Sequence, residues 1–149
     1  MKSKFLNLAA IIVFVALLVS CKQNIEELKK EIMQVDIEFS NLSVKVGMEK
    51  AFLEYIDTNG VILKDKSMPI VGKNELIKIY ETKSDSGFTL QWKPLFADVA
   101  SSGEMGYTYG IWTLTIDTAV YQGTYTTFWK KDKKGNWKFV LDTGNDGLK

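Results

Sequence analysis

Asp98 and Asp142 are the carboxylates that fall inside long runs of β-branched and aromatic residues. A carboxyl buried in such surroundings is penalised as an anion, its pKa rises, and it can then take or give a proton near neutral pH. The plainer reading, preferred for both, is an Asp at a strand end that is hydrogen-bonded near a loop. For Asp142 the following Thr143, Gly144, Asn145 and Asp146 look like a strand exit. Tyr107, Tyr109 and Tyr125 would bring phenols to the same chemistry, Tyr107 and Tyr109 from one face of a strand, although packing through the ring is the commoner use. Trp92, Trp112, Trp129 and Trp137 fall one to each of four long runs. The first three, with Tyr109 and Tyr125, are the candidate lining of an apolar cavity for a flat hydrophobic ligand, and the same rings would equally serve as core.

What is missing narrows the chemistry further. The chain of 149 residues has 19 basic and 18 acidic side chains, no His and one Cys, and every basic residue is Lys. Without Arg there is no planar fork for clamping phosphates or carboxylates, and without His there is no imidazole for a metal or a proton shuttle. The near balance of charge gives no pull toward nucleic acid. Glycine-rich phosphate loops, Gly-x-Ser-x-Gly elbows and Cys-x-x-Cys pairs are absent, so no cofactor and no metal site is expected. Asp142, Asn145 and Asp146 only superficially resemble a calcium loop.

The lone Cys has its own context. Lys2 and Lys4 precede an apolar stretch from Phe5 to Val19, interrupted by Asn7, which ends in Leu18-Val19-Ser20-Cys21. That stretch falls short of the roughly 20 residues of a membrane-spanning helix, and the small Ser20 marks a cleavage point. Residues 1–20 read as a lipoprotein signal peptide and Cys21 as the lipidated N-terminus of the mature chain. The expected partner is therefore a membrane, held through acyl chains that each bury many CH₂ groups at about 0.8 kcal/mol apiece. Residues 21–24 would form a tether of about 10 Å at most. Lys22 rather than Asp after the Cys favours the outer membrane over the inner one, within the cell envelope.

The mature chain must position these residues with one domain, 25–147. Ile25, Leu28, Ile32, Val35, Phe39, Leu42 and Val46 recur at steps of three and four and predict an amphipathic helix. The same spacing fits a coiled-coil seam, which would leave the stripe exposed for assembly. After Gly47 a second short helix carries Met48, Ala51, Phe52 and Tyr55, and Asp57-Thr58-Asn59-Gly60 is expected to turn the chain. Short strands at 61–64 and 68–71 and a helix from Gly72 through Tyr80 follow. Four long strands, 88–100, 104–116, 120–131 and 137–143, joined by short links, predict an antiparallel meander. Gly110 and Gly123 inside strands are expected at bends or bulges, and Lys130, Lys131, Lys133 and Lys134 at a solvated hairpin tip rather than on phospholipid. The fold class is α+β, helices first and a strongly curved, mainly antiparallel sheet after them.

This order, together with Gly72-Lys73-Asn74-Glu75-Leu76, Ser102 through Gly110, Gly123-Thr124-Tyr125, Trp129-Lys130-Lys131 and Gly135 through Asp142, resembles the NTF2-like superfamily and its DUF4440 or SnoaL-like branch. The resemblance implies a cone of helices and bent sheet around a pocket, and a homodimer through the outer sheet face. It leaves function open, because the superfamily includes isomerases, cyclases, dehydratases and members that only bind or assemble. Its enzymes often carry His in the last strand, in a Trp-x-x-x-His-x-His-like stretch, and this chain has Leu141 and Thr143 at those places. The expectation is accordingly a membrane-anchored module that binds a small apolar ligand or a partner protein without catalysis. The alternative is a ketosteroid isomerase-like enzyme using a pocket carboxylate and tyrosines.

Overall fold

Glu26 and Glu27 at its start and Lys45 in its last turn match the dipole of a 22-residue helix, α1, which runs from Ile25 to Val46. The computed structural model of the protein describes residues 24–82 and 87–147. Residues 1–23, which include the expected signal peptide, Cys21 and the start of the expected tether, lie outside the described residues. Lys29 pairs with Glu26 and Lys30 with Glu27 on the solvent side of α1, each at 3.0 Å. The inner face holds Leu28, Ile32, Asp36, Phe39, Ser40 and Ser43.

The apolar stripe of the first half of α1 is buried on the sheet, so it is not free to form a coiled-coil seam. In the second half polar residues replace the expected ones. Val35 and Leu42 are only partly buried and Val46 is exposed, while Ser40 and Ser43 face a strand whose backbone they satisfy. Ser43 Oγ donates to the Leu90 carbonyl and the Trp92 N–H donates to Ser40 Oγ, both at 2.8 Å.

Gly47, at φ 96°, ends α1 in a conformation that suits a residue without Cβ. Helix α2 (Met48–Tyr55) follows, then strands β1 (Ile56–Leu63) and β2 (Ile70–Val71), helix α3 (Lys73–Glu81), and β3 (Phe88–Val99), β4 (Met105–Ile116), β5 (Ala119–Lys131) and β6 (Trp137–Asp146). The residues expected to turn the chain, Asp57 to Gly60, lie inside β1 instead. They form an irregularity where pairing with β6 jumps from Ile56–Phe139 to Val61–Leu141, and Asp57 Oδ1 accepts the Asn59 N–H at 2.9 Å. A side chain braced on its own backbone makes a local kink without reversing the strand.

The sheet order is β2-β1-β6-β5-β4-β3. The meander β3 to β6 is antiparallel throughout, and β1 joins β6 in parallel. Strand β3 is an edge, and α1 covers it through the two serine contacts, which removes a site for unwanted strand pairing. Phe39 sits at the centre of the core, 4.5 Å from the Trp92 ring, 4.9 Å from Phe52 and 5.7 Å from Phe139. The architecture is the expected α+β cone, with helices packed inside a curved sheet.

Candidate functional site

The inward faces of β3 to β6 and the start of α2 leave a cavity of about 450 Å³, in the size range of small-molecule sites. Met48, Phe52, Ile62, Leu90, Trp92, Trp112 and Leu114 give it apolar walls, and Tyr125 and Asp142 are among its few polar groups. The exposed lining residues Lys64, Asp65, Ile116 and Asp146 mark its mouth.

Asp142 reaches this wall because of a bulge. Trp137 and Phe139 point inward, and regular alternation would bring Leu141 in next. The register of β6 against β5 instead shifts from Trp129–Phe139 to Phe128–Leu141, which takes Val140 out of step and turns Asp142 inward. Its Oδ2 accepts the Thr127 hydroxyl at 2.7 Å. Burial, first, and the nearby Asp36 push its pKa up to about 7, against the opposing pull of Thr127 and Lys64.

Behind the cavity wall lies a second carboxyl, Asp36 of α1, wholly buried at 0% exposure. The Trp92 indole N–H donates to Oδ1 and the Tyr125 hydroxyl to Oδ2, each at 2.7 Å, and the Thr108 hydroxyl supports the same carboxyl. Desolvation still dominates and raises the Asp36 pKa, with those three hydrogen bonds acting the other way. Burial and the adjacent Asp36 raise the Tyr125 phenol as well. Thr108 also accepts the Trp129 indole N–H at 2.9 Å, extending the network into the core.

Gly123 makes room for the Trp112 ring. A Cβ there would run into that ring and into the Asn145 carbonyl, and one at Gly110 would lie 2.8 Å from the Tyr125 ring. Both glycines sit in regular cross-strand pairs, Gly110 with Tyr125 and Gly123 with Trp112. Both are seats for aromatic rings, and Gly110, expected with Gly123 at a bend or bulge, also pairs with Pro94 beside the register shift of β3. The extra residues of the meander are Leu95 in β3, across from Gly110, and Val140 in β6.

Of the residues singled out as pocket lining, Trp92, Trp112 and Tyr125 come together at the cavity. Trp129 does not: it is fully buried between Phe39 and Phe139 as core. Tyr109 points to the outer face of β4, 44% exposed and stacked on Phe96 at 5.4 Å. Strand parity separates them, since even-numbered positions of β4 and odd-numbered positions of β5 turn inward. Asp98 is at the surface, paired with Lys29 at 3.1 Å and accepting the Val99 N–H at 3.0 Å. The Lys29 contact, first, and that N–H hold its carboxyl below the usual range, so it is unsuited to act as a base. Asp142 is both near a strand end and in the cavity wall. Sequence reasoning missed Asp36, although it lies four residues after Ile32 and three before Phe39 and so shares their helix face. Among the described residues no three His, Cys, Asp or Glu side chains gather as a metal-ligand set.

No protein-family model and no curated protein sequence matches the chain. Solved structures do resemble it. An NTF2-like protein of unknown function from Shewanella oneidensis superposes with a TM-score of 0.64 at 15% identity, covering 78% of this chain and 98% of that one. An NTF2-like protein with a cystatin-like fold from Novosphingobium aromaticivorans gives 0.62 at 13% identity, covering 93% of this chain and 86% of that one. A candidate ketosteroid isomerase from Parabacteroides distasonis gives 0.65 at 15% identity, covering 78% and 88%. At these identities the likeness is one of fold, and the fold is the NTF2-like cone.

Proposed function

We propose that the protein is a lipid-anchored binding module of the cell envelope, which holds a small apolar ligand in the cavity of its NTF2-like domain. The observation that carries the reading is the cavity itself: about 450 Å³ walled by Phe52, Trp92, Trp112 and Leu114, with a single carboxyl, Asp142, turned into the wall by a bulge. Apolar walls with few fixed polar groups suit a ligand held by area and oriented at one point.

Binding without turnover fits the same geometry better than the isomerase-like alternative. Such an enzyme needs a donor facing the substrate opposite its base. Here the Tyr125 hydroxyl and the Trp92 N–H are both engaged by Asp36, which leaves Asp142 without those two as partners in a reaction.

The Leu18-Val19-Ser20-Cys21 motif supports the membrane anchor, in the outer membrane by the Lys22 criterion. The outer sheet face supports self-association: Phe128, Tyr107, Phe96 and Tyr109 form a continuous row with ring centres 5.9, 6.2 and 5.4 Å apart, and a half-exposed aromatic row is what a homodimer would cover.

Native mass spectrometry of the detergent-purified protein from its own host tests the central claim. A discrete co-purifying mass that is lost on Trp112→Ala or Tyr125→Ala is expected. A clean apo mass in every preparation would overturn it.

A further inference from the structure

We infer that the cavity selects flat apolar molecules bearing a cationic or hydrogen-bond-donating group, a hydrophobic amine above all, over carboxylates or phosphates of the same shape. This rests on the cavity being a ligand site, as argued above, and adds the chemistry of the ligand. Among the described lining residues the ionisable carboxylates are Asp142 in the wall and Asp65 and Asp146 at the mouth, and the one cation is Lys64. Lys64 is itself engaged and pulls on the Asp142 carboxyl. An entering anion would meet Asp142 in the wall and Asp146 at the mouth, while Asp65 is offset by Lys66 at 3.4 Å and Lys64 is already engaged, in walls that screen charge poorly.

Two of the lining donors point the same way. Tyr125 and Trp92 would be natural donors to an anion, but both are turned to Asp36. Asp142 is an acceptor: Thr127 takes Oδ2, and Oδ1 has no hydrogen-bond partner among the described residues. An ammonium or hydroxyl at that oxygen would be paired, and the faces of the surrounding aromatic rings attract a cation. A carboxylate there would place two like charges together in a poorly solvated site, which disfavours it.

The groups that act on Asp142 are Lys64 after β1, Thr127 and Tyr125 on β5 and Asp36 on α1, and Asp65 and Asp146 line the same cavity. With the Asp142 carboxyl held near 7, its ionised fraction rises about tenfold from pH 6 to 8. Ammonium binding should tighten by a similar factor over that range.

Isothermal titration of the detergent-purified, full mature protein with three probes of one shape tests this: 2-naphthylmethylamine, 2-naphthalenemethanol and 2-naphthoate. At pH 8 the amine is expected to bind at least tenfold more tightly than the carboxylate. Asp142→Asn should abolish that preference by costing the amine at least tenfold in affinity, while the alcohol, which gives up one neutral hydrogen bond and no ion pair, loses less. The wild-type protein alone also reports, since its affinity for the amine should fall about tenfold on going from pH 8 to 6 with the alcohol unchanged. Binding of the alcohol with no preference for the amine, or an amine preference that survives Asp142→Asn, would overturn the inference but leave the cavity as a ligand site. Failure of all three probes to bind would overturn both.

Discussion

Tyr125 and Asp36 stand 89 positions apart in the chain and share a buried hydrogen bond of 2.7 Å. It ties the middle of α1 to the central face of β5, and with Trp92 Nε1 on the other carboxylate oxygen it fixes two rings that form cavity walls. A single buried carboxyl thus holds the helix, the edge strand β3 and the binding surface in one arrangement.

Replacing Asp36 should therefore do more than remove a charge. Asp36→Ala leaves a buried phenol and a buried indole N–H without their acceptor, and each orphaned group costs about 1 to 3 kcal/mol. A loss of about 2 to 4 kcal/mol in urea unfolding is expected, with weakened near-ultraviolet dichroism as Trp92 and Tyr125 lose their fixed orientation. Asp36→Asn keeps one carbonyl acceptor and should lose about half as much. Equal losses for the two variants would show that volume, and not the hydrogen-bond pair, is what matters at this position.

Asp142 should be a stability liability that grows with pH. Its pKa is raised from the ordinary 3.8 to about 7 in the folded protein, so the unfolded chain gives up the proton first and ionisation favours unfolding. The penalty is absent below about pH 4, accumulates as pH rises toward 7, and is level above that. One side of the carboxyl opens on the cavity, so the full effect is of the order of 2 to 4 kcal/mol. Asp142→Asn keeps an acceptor for Thr127 and removes the titration. Its thermal midpoint relative to the wild type should climb between pH 4 and 7 and then plateau, and a flat difference across that range would refute the assignment.

The contrast between these two carboxyls marks how far the sequence could be read. The periodicity from Ile25 to Val46 and the four β-rich runs predict the helix, the meander and the α+β class, because burial repeats with a regular period there. Asp36 escaped notice because Val35 fills the apolar stripe equally well, and only the tertiary hydrogen bonds of Trp92 and Tyr125 decide which of the two turns inward. Asp142 was visible as a strand carboxylate, but its inward direction depends on the irregularity at Val140, which no local pattern announces. Trp129 and Tyr109 show the same limit: β4 and β5 have two nearly equal apolar faces, so parity is set by what α1 packs against.

Gly123→Ala tests the seat of the Trp112 ring. The added methyl meets that ring and a β6 carbonyl, so the ring must leave its place or the strands must part, a disturbance typically costing about 1 to 3 kcal/mol. A lower thermal midpoint and a shifted Trp112 emission are expected, together with loss of 2-naphthalenemethanol binding. Gly135→Ala, at a hairpin with open space around its Cβ, has no ring to displace and should leave probe binding unchanged even though its φ of 85° disfavours a side chain. Similar binding losses in both variants would mean that general destabilisation, and not the ring, is being read.

The direction of the cavity relative to the proposed anchor can also be predicted. The first turns of α1 lie at one end of the domain, where Lys29 meets Asp98 near the end of β3 and Glu31 meets Lys131 at the end of β5, at 3.1 and 3.3 Å. The mouth lies at the other end, among Phe88 at the start of β3, Ile116 at the end of β4 and Asp146 at the end of β6. A helix of 22 residues at 1.5 Å per residue separates the two ends by about 33 Å. Under the proposed acylation of Cys21, with a tether of only a few residues, the closed end would rest near the bilayer and the mouth would face the aqueous compartment. Spin labels at Ser102, beside the closed end, and at Asp65, at the mouth, should report this in vesicles carrying the lipidated protein. A lipid-soluble relaxing agent is expected to broaden the signal at Ser102 and spare Asp65. A water-soluble one should act on Asp65 at least as strongly, and the reverse pattern would mean that the cavity opens toward the membrane and draws its ligand from the lipid.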